Sequence, residues 1–155
     1  MSIEEDVFLN CCGLMSISVS TVNLNYKSVN GLLCSKDGKR LIAGVNGNAV
    51  IPSGVLSVET GAFKGRSGLR SVMIPEGVTN IHLYAFKDCS GLTSVTVPSS
   101  VKEISAYAFS GCSSLTNMVL PFVGTKRGNL DFDALFCRIF DTVKSKHSME
   151  RFRWI

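Results

Sequence analysis

Charge, proline, histidine and long apolar runs are all scarce in this chain, and each scarcity removes a class of protein. Charged residues fill 18% of the 155 positions while hydrophobic ones fill 45%, enough apolar material for one folded core and too much for a disordered tail. No apolar run approaches the roughly 18 uninterrupted residues of a membrane-crossing helix. The net charge is +4, but residues 1–124 carry 9 basic and 8 acidic side chains and residues 125–155 carry 7 and 4. The excess therefore lies in the tail, which leaves no broad basic face for nucleic acid. The two histidines, His82 and His147, stand in no motif, and the patterns of a phosphate-binding P-loop, a zinc protease or a serine hydrolase are all missing. No catalytic residue, cofactor or metal ligand is nominated on these grounds. Cys11-Cys12 has no histidine or further cysteine at ligand spacing, which argues against zinc.

What the chain does have is a period. Its four prolines are Pro52, Pro75, Pro98 and Pro121, spaced at a constant step of 23. The same step links Phe63, Phe86 and Phe109; Leu69, Leu92 and Leu115; Val72, Val95 and Met118; Ile74, Val97 and Leu120; and Val58, Ile81 and Ile104. A fixed period of this length is the signature of a stacked repeat architecture. An earlier copy is displaced: Ile3, Phe8, Leu14, Ile17 and Val19 precede Val58, Phe63, Leu69, Val72 and Ile74 at a constant offset of 55, one period plus a 32-residue insertion. Within the insertion, expected at about 23–48, Asp37-Gly38 between two apolar stretches predicts a tight two-residue β-hairpin that sets Cys34 across from Leu41 and projects from the stack as a flap.

Inside one repeat, LRSVMIP (69–75) turns Leu69, Val72 and Ile74 inward on a short strand, with LTSVTVP (92–98) and LTNMVLP (115–121) as its copies. Proline lacks an N–H and stops the strand, so IPSG, IPEG and VPSS are expected to be turns with Pro at the second position. A second apolar stretch follows at 55–58, 78–81 and 101–104. Two residues after each ladder Phe stand Asn10, Gly65, Asp88 and Gly111, all types that tolerate left-handed backbone. One such unit cannot bury its apolar face alone, and stacking about 4.8 Å apart lets each Phe and Leu be sealed by its copies.

The repeats AFKGRSGLRSVMIPEGVTNI, AFKDCSGLTSVTVPSSVKEI and AFSGCSSLTNMVLPFVG resemble the BspA-like leucine-rich repeat family. The resemblance covers residues 3 to about 124 and extends to the insertion. It implies a repeat solenoid, mostly a β leucine-rich repeat stack with a β-hairpin insertion, in a microbial cell-surface or secreted protein that mediates adhesion by binding a protein or glycan. No signal peptide is read in this chain, because Glu4, Glu5 and Asp6 occupy the place of its basic residues. With Ile3 already at the repeat phase of Val58, the chain is expected to be a fragment, or the product of a truncated gene, of a longer surface protein.

Two organisational units are expected: the solenoid over 1–124 and a basic tail over 125–155. In the tail Phe132, Leu135, Phe136, Ile139, Phe140 and Val143 form one apolar stripe, predicting a C-terminal helix at about 130–144 that closes the open end of the stack, with a membrane-surface or partner-docking helix, or a disordered tail, as the alternatives. Cys11, Cys89 and Cys112 share one repeat phase and are expected to form a column of small buried hydrophobes. Arg66, at the same phase, is expected to mark an edge where a long side chain reaches water. Alternating with the inward set, Ser16, Ser18, Ser71, Met73, Ser94, Thr96, Asn117 and Val119 are expected to face outward as an uncharged binding strip. The functional expectation is a non-catalytic binding module, with a passive spacer as the alternative and an enzyme or enzyme subunit third. Its partner would be a protein or glycan, with neither nucleic acid nor a membrane engaged, and self-association is expected through a bare N-terminal end.

Overall fold

The computed structural model describes residues 3, 7–9 and 11–121, together with the backbone of residues 153–154. The expected helix at 130–144, Cys137 and the Asn10 turn position lie outside the described residues. Among those residues the chain forms two sheets. Strands β1 (Tyr26–Val29), β2 (Leu32–Ser35), β3 (Arg40–Ala43), β5 (Ser57–Val58), β7 (Asn80–Ile81) and β9 (Glu103–Ile104) make one, in the order β1-β2-β3-β5-β7-β9. Strands β4 (Gly47–Val50), β6 (Leu69–Met73), β8 (Ser94–Thr96), β10 (Asn117–Leu120) and β11 (Arg153–Trp154) make the other, in the order β11-β10-β8-β6-β4. From β3 onward every pairing between successive turns is parallel, so the chain is a solenoid in which each coil gives one short strand to each sheet.

The sequence ladders become physical columns. Phe63, Phe86 and Phe109 are fully buried, with ring centroids 5.0 Å apart and interplanar angles of 12° and 4°. That separation is the strand spacing, so the rings are carried into face contact by the backbone ladder itself. Leu69, Val72, Ile74 and their copies line the inner face of the second sheet, and Val58, Ile81 and Ile104 that of the first. Gly65, Asp88 and Gly111 adopt the positive φ that their residue types tolerate, and earlier in the same turns Tyr84 and Tyr107 do so too, at 58° and 57°. The proline turns differ from expectation. The amides of Val55, Val78 and Val101 bond to the carbonyls of Pro52, Pro75 and Pro98, so proline takes the first position. The cause is that each of these valines must turn into the core, where all three are fully buried.

The insertion is not a flap. Leu32, Leu33, Cys34, Ser35, Leu41 and Ala43 are all buried, and β3 pairs in parallel with β5, setting Leu41 beside Val58. Cys34 does face Leu41, but Asp37-Gly38 belongs to a four-residue connection, closed by the Gly38 amide on the Ser35 carbonyl, with φ positive at Gly38 and not at Asp37. The two-residue hairpin is Asn30-Gly31 instead: both residues have positive φ, 54° and 74°, and join Val29 to Leu32 in β1 and β2, the pattern of a type I′ turn.

The insertion also supplies a coil of its own. Ala49 lies beside Val72, one full period earlier, whereas Leu41 lies beside Val58 across an interval that falls short of a period. This coil is therefore abbreviated, and what it lacks is the Phe-bearing turn. Gly44 takes that place, directly under the Phe63 ring, where even a β-carbon would collide with the ring. The first repeat is displaced outward as a result. Its Leu14 and Ile17 are half-buried against the core, but residues 14–20 form no strand. On the other sheet β1 and β2 extend the ladder beyond β3, so β1 and β4 are the edge strands of their sheets at the N-terminal end.

Candidate binding face

The outward side chains of β4, β6, β8 and β10 form two rows that run along the stack. Asn48, Ser71, Ser94 and Asn117 are in register in one row, and Val50, Met73, Thr96 and Val119 in the other. All are exposed except Val119, which is half-buried. The polar row is internally bonded where Ser71 Oγ donates to Asn48 Oδ1 at 2.8 Å. The second row is largely apolar, with Met73 63% and Val50 45% exposed. Six of the eight residues expected in the strip are thus brought together: Ser71, Met73, Ser94, Thr96, Asn117 and Val119. Ser16 and Ser18 are exposed but stand outside the ladder, because the hairpin takes the bonds that a strand would have used. The Ile17 amide donates to the Gly31 carbonyl at 2.8 Å and the Val19 amide to Ser28 Oγ at 3.1 Å.

Asn48 and Val50 belong to the face and were missed. The signal was present, since one period back from Ser71 and Met73 lands on them. Matching the first repeat directly to the copy at Val58 passed over the shortened coil between. At one end of the face the backbone of β11 pairs with β10, Val119 beside Arg153 and Leu120 beside Trp154.

The cysteine phase behaves as a hydrogen-bonding position. Cys89 Sγ donates to the Phe63 carbonyl and Cys112 Sγ to the Phe86 carbonyl, each at 3.1 Å. Cys89 is fully buried and Cys112 half-buried, with their thiols unlinked. The neighbouring Cys112 side chain, together with burial, pushes the Cys89 thiol well above its ordinary value; burial also raises Cys34, with the Lys27 charge opposing. Arg66 does the same job with a longer arm. Its Nε donates to the Gly44 carbonyl at 2.9 Å and its Nη1 to the Phe8 carbonyl at 2.8 Å. At 2% exposure it reaches inward across the missing turn, not outward to water, which corrects the expected edge. Cys11 is exposed and does not join the column, because the shortened coil stands between its segment and the later copies.

Two further features lie off the face. Tyr84 and Tyr107 stack with centroids 5.7 Å apart, and Lys87 Nζ lies 5.0 Å from the Tyr84 centroid, within cation–π range. A cavity of about 260 Å³ opens where the short coil meets the N-terminal segment, lined by Ile3, Phe8, Ile42, Ala62 and the Arg40–Glu59 pair among others, whose charged atoms are 4.0 Å apart. No group of three or more His, Cys, Asp or Glu side chains among the described residues is placed to hold a metal ion.

The comparisons with known proteins agree with this architecture. A leucine-rich repeat protein from Eubacterium ventriosum matches over 79% of this chain and 36% of its own, at 24% identity and a TM-score of 0.69. The pneumococcal vaccine antigen PcpA matches over 68% of this chain and 27% of its own, at 28% identity and a TM-score of 0.64. A leucine-rich cell surface protein from Faecalibacterium prausnitzii matches over 93% of this chain and 46% of its own, at 18% identity and a TM-score of 0.54. The chain thus spans less than half the length of each of these structures. No curated protein matches it in sequence. The model of the BspA-type leucine-rich repeat region matches in six copies over residues 46–150, about two thirds of the chain, and with the stacked columns of Phe, Leu and Val this places the chain in the BspA-type leucine-rich repeat family.

Proposed function

We infer that this chain is a non-catalytic recognition module, displayed on or released from a microbial cell surface, whose second sheet binds a protein or glycan ligand. One observation carries the reading: β4, β6, β8 and β10 present two uncharged rows in register, a polar one of Asn and Ser beside an exposed apolar one with Val50 and Met73. Exposed aliphatic side chains in register favour a partner that can bury them, and the polar row offers donors and acceptors beside them. Family membership supports the setting, since the resemblance implies surface display and adhesion.

The test is direct binding of the purified chain to immobilised matrix glycoproteins, intact and deglycosylated, read by interferometry. Saturable binding that is lost in a Val50→Glu/Met73→Glu variant of unchanged melting temperature supports the reading, and its survival on deglycosylated ligand assigns the protein portion as partner. Binding that is equal in the variant removes the face from the site. A chain that binds none of these ligands would instead be read as a passive spacer.

A further inference from the structure

Two cysteines stand side by side in the open, on a turn that the interior holds in place. Cys11 and Cys12 are both exposed. The Leu14 amide donates to the Cys11 carbonyl at 3.0 Å. Asn46, itself buried, donates from Nδ2 to the Cys12 carbonyl at 2.8 Å. The Phe8 carbonyl accepts twice, from the Cys11 amide at 3.3 Å and from Arg66 Nη1 at 2.8 Å, so the guanidinium ends at the same oxygen as the Cys11 backbone. No described carboxylate forms an ion pair with Arg66; its hydrogen bonds go to the carbonyls of Gly44 and Phe8. Burial lowers the guanidinium from its ordinary value. Cys34 and Cys89, by contrast, are fully buried.

We propose that Cys11-Cys12 is a covalent modification site, a vicinal thiol pair that takes up small anionic disulfides by thiol–disulfide exchange. In the step, one thiol gives up its proton and its sulfur attacks a sulfur of the disulfide. The disulfide's S–S bond breaks as the mixed disulfide forms, and the departing thiolate takes up a proton to leave as a thiol. The small disulfide is the oxidant, so the electrons balance within the exchange. The adjoining cysteine doubles the number of accessible nucleophiles at one spot. Arg66 supplies the selectivity: its charge is fixed and shielded from water, so it attracts a carboxylate-bearing disulfide and repels a cationic one.

The experiment uses the full chain carrying Cys137→Ser, so that the signal comes from the five described cysteines. The folded protein is incubated with oxidised glutathione, which is anionic, or with cystamine, which is cationic, and adducts are mapped by peptide mass. Modification is expected at Cys11 or Cys12 before any at Cys34, Cys89 or Cys112, and it should vanish in the Cys11→Ser/Cys12→Ser variant. Glutathione should react about tenfold faster relative to cystamine than it does with Arg66→Gln, the scale of electrostatic steering by a local charge. Should Arg66→Gln not fold, high salt applied to the parent chain must compress the same ratio. First modification at Cys34, Cys89 or Cys112, or a ratio untouched by Arg66→Gln and by salt, would overturn the proposal.

Discussion

Replacing Phe86 by alanine removes the middle ring of a three-ring column, and the structure sets the size of the loss. The side chain is fully buried and has a parallel ring 5.0 Å away on each side. Burial and cavity effects for Phe→Ala amount to about 3–5 kcal/mol, and each ring pair contributes roughly 0.5–1.5 kcal/mol beyond its area. Phe86 loses two such pairs. Phe63 would lose one, since its other face rests on Gly44. Phe86→Ala should therefore sit at the upper end of the range and exceed Phe63→Ala by about 1 kcal/mol, the worth of one ring pair. Because a solenoid coil is stabilised mainly by its neighbours, the loss should appear as one weakened cooperative transition. Urea denaturation followed by circular dichroism measures both variants, and on heating the Phe86 variant should melt lower by on the order of 10 °C. Identical midpoints for the two variants would refute the column argument, and an unchanged midpoint for Phe86→Ala would refute the burial itself.

Gly44→Ala places a methyl group into the Phe63 ring and should cost about 1–3 kcal/mol in chemical denaturation. Arg66→Met leaves the Gly44 carbonyl without its side-chain donor and the Phe8 carbonyl with the Cys11 amide alone and should cost about 1–3 kcal/mol; a variant as stable as the parent would show that water replaces the guanidinium freely. The Glu76 carboxyl accepts from the Ser99 and Ser100 amides and the Ser99 hydroxyl of the next coil. Desolvation would raise it, but those bonds outweigh the effect and hold it below its ordinary value. A depressed carboxyl stabilises the fold above the normal carboxylate range and loses that contribution as pH falls through the lowered value. Melting temperature measured across the acid range should therefore fall less steeply in Glu76→Gln than in the parent, and parallel curves would dismiss the clasp.

Most of the fold was legible because the solenoid converts a sequence period into a translation. Once one coil buries Leu69, Val72 and Ile74, parallel pairing copies the same environment onto Leu92, Val95 and Val97, so residue types at one spacing reveal burial without any knowledge of distant contacts. The outward face followed from the same alternation, and the left-handed positions at Gly65, Asp88 and Gly111 from residue type. Tyr84 and Tyr107 were not legible as left-handed, since nothing in tyrosine favours that backbone and only the stacked turns around them impose it.

What the sequence alone determined, then, is the repeating part: the period, the columns and the alternation of inward and outward residues, each set by local chemistry that recurs from one coil to the next. Tertiary structure decided everything at the break in that period. Whether the insertion stood out or folded in depended on β3 finding the edge of β5. Whether Arg66 met water or a carbonyl depended on a coil shorter than its neighbours, which left the Gly44 and Phe8 oxygens within its reach. Cys11 and Cys89 share a phase and yet one is exposed and the other buried, because burial belongs to the coil that happens to lie next door, and at an interrupted repeat the neighbour in space is no longer the neighbour by count.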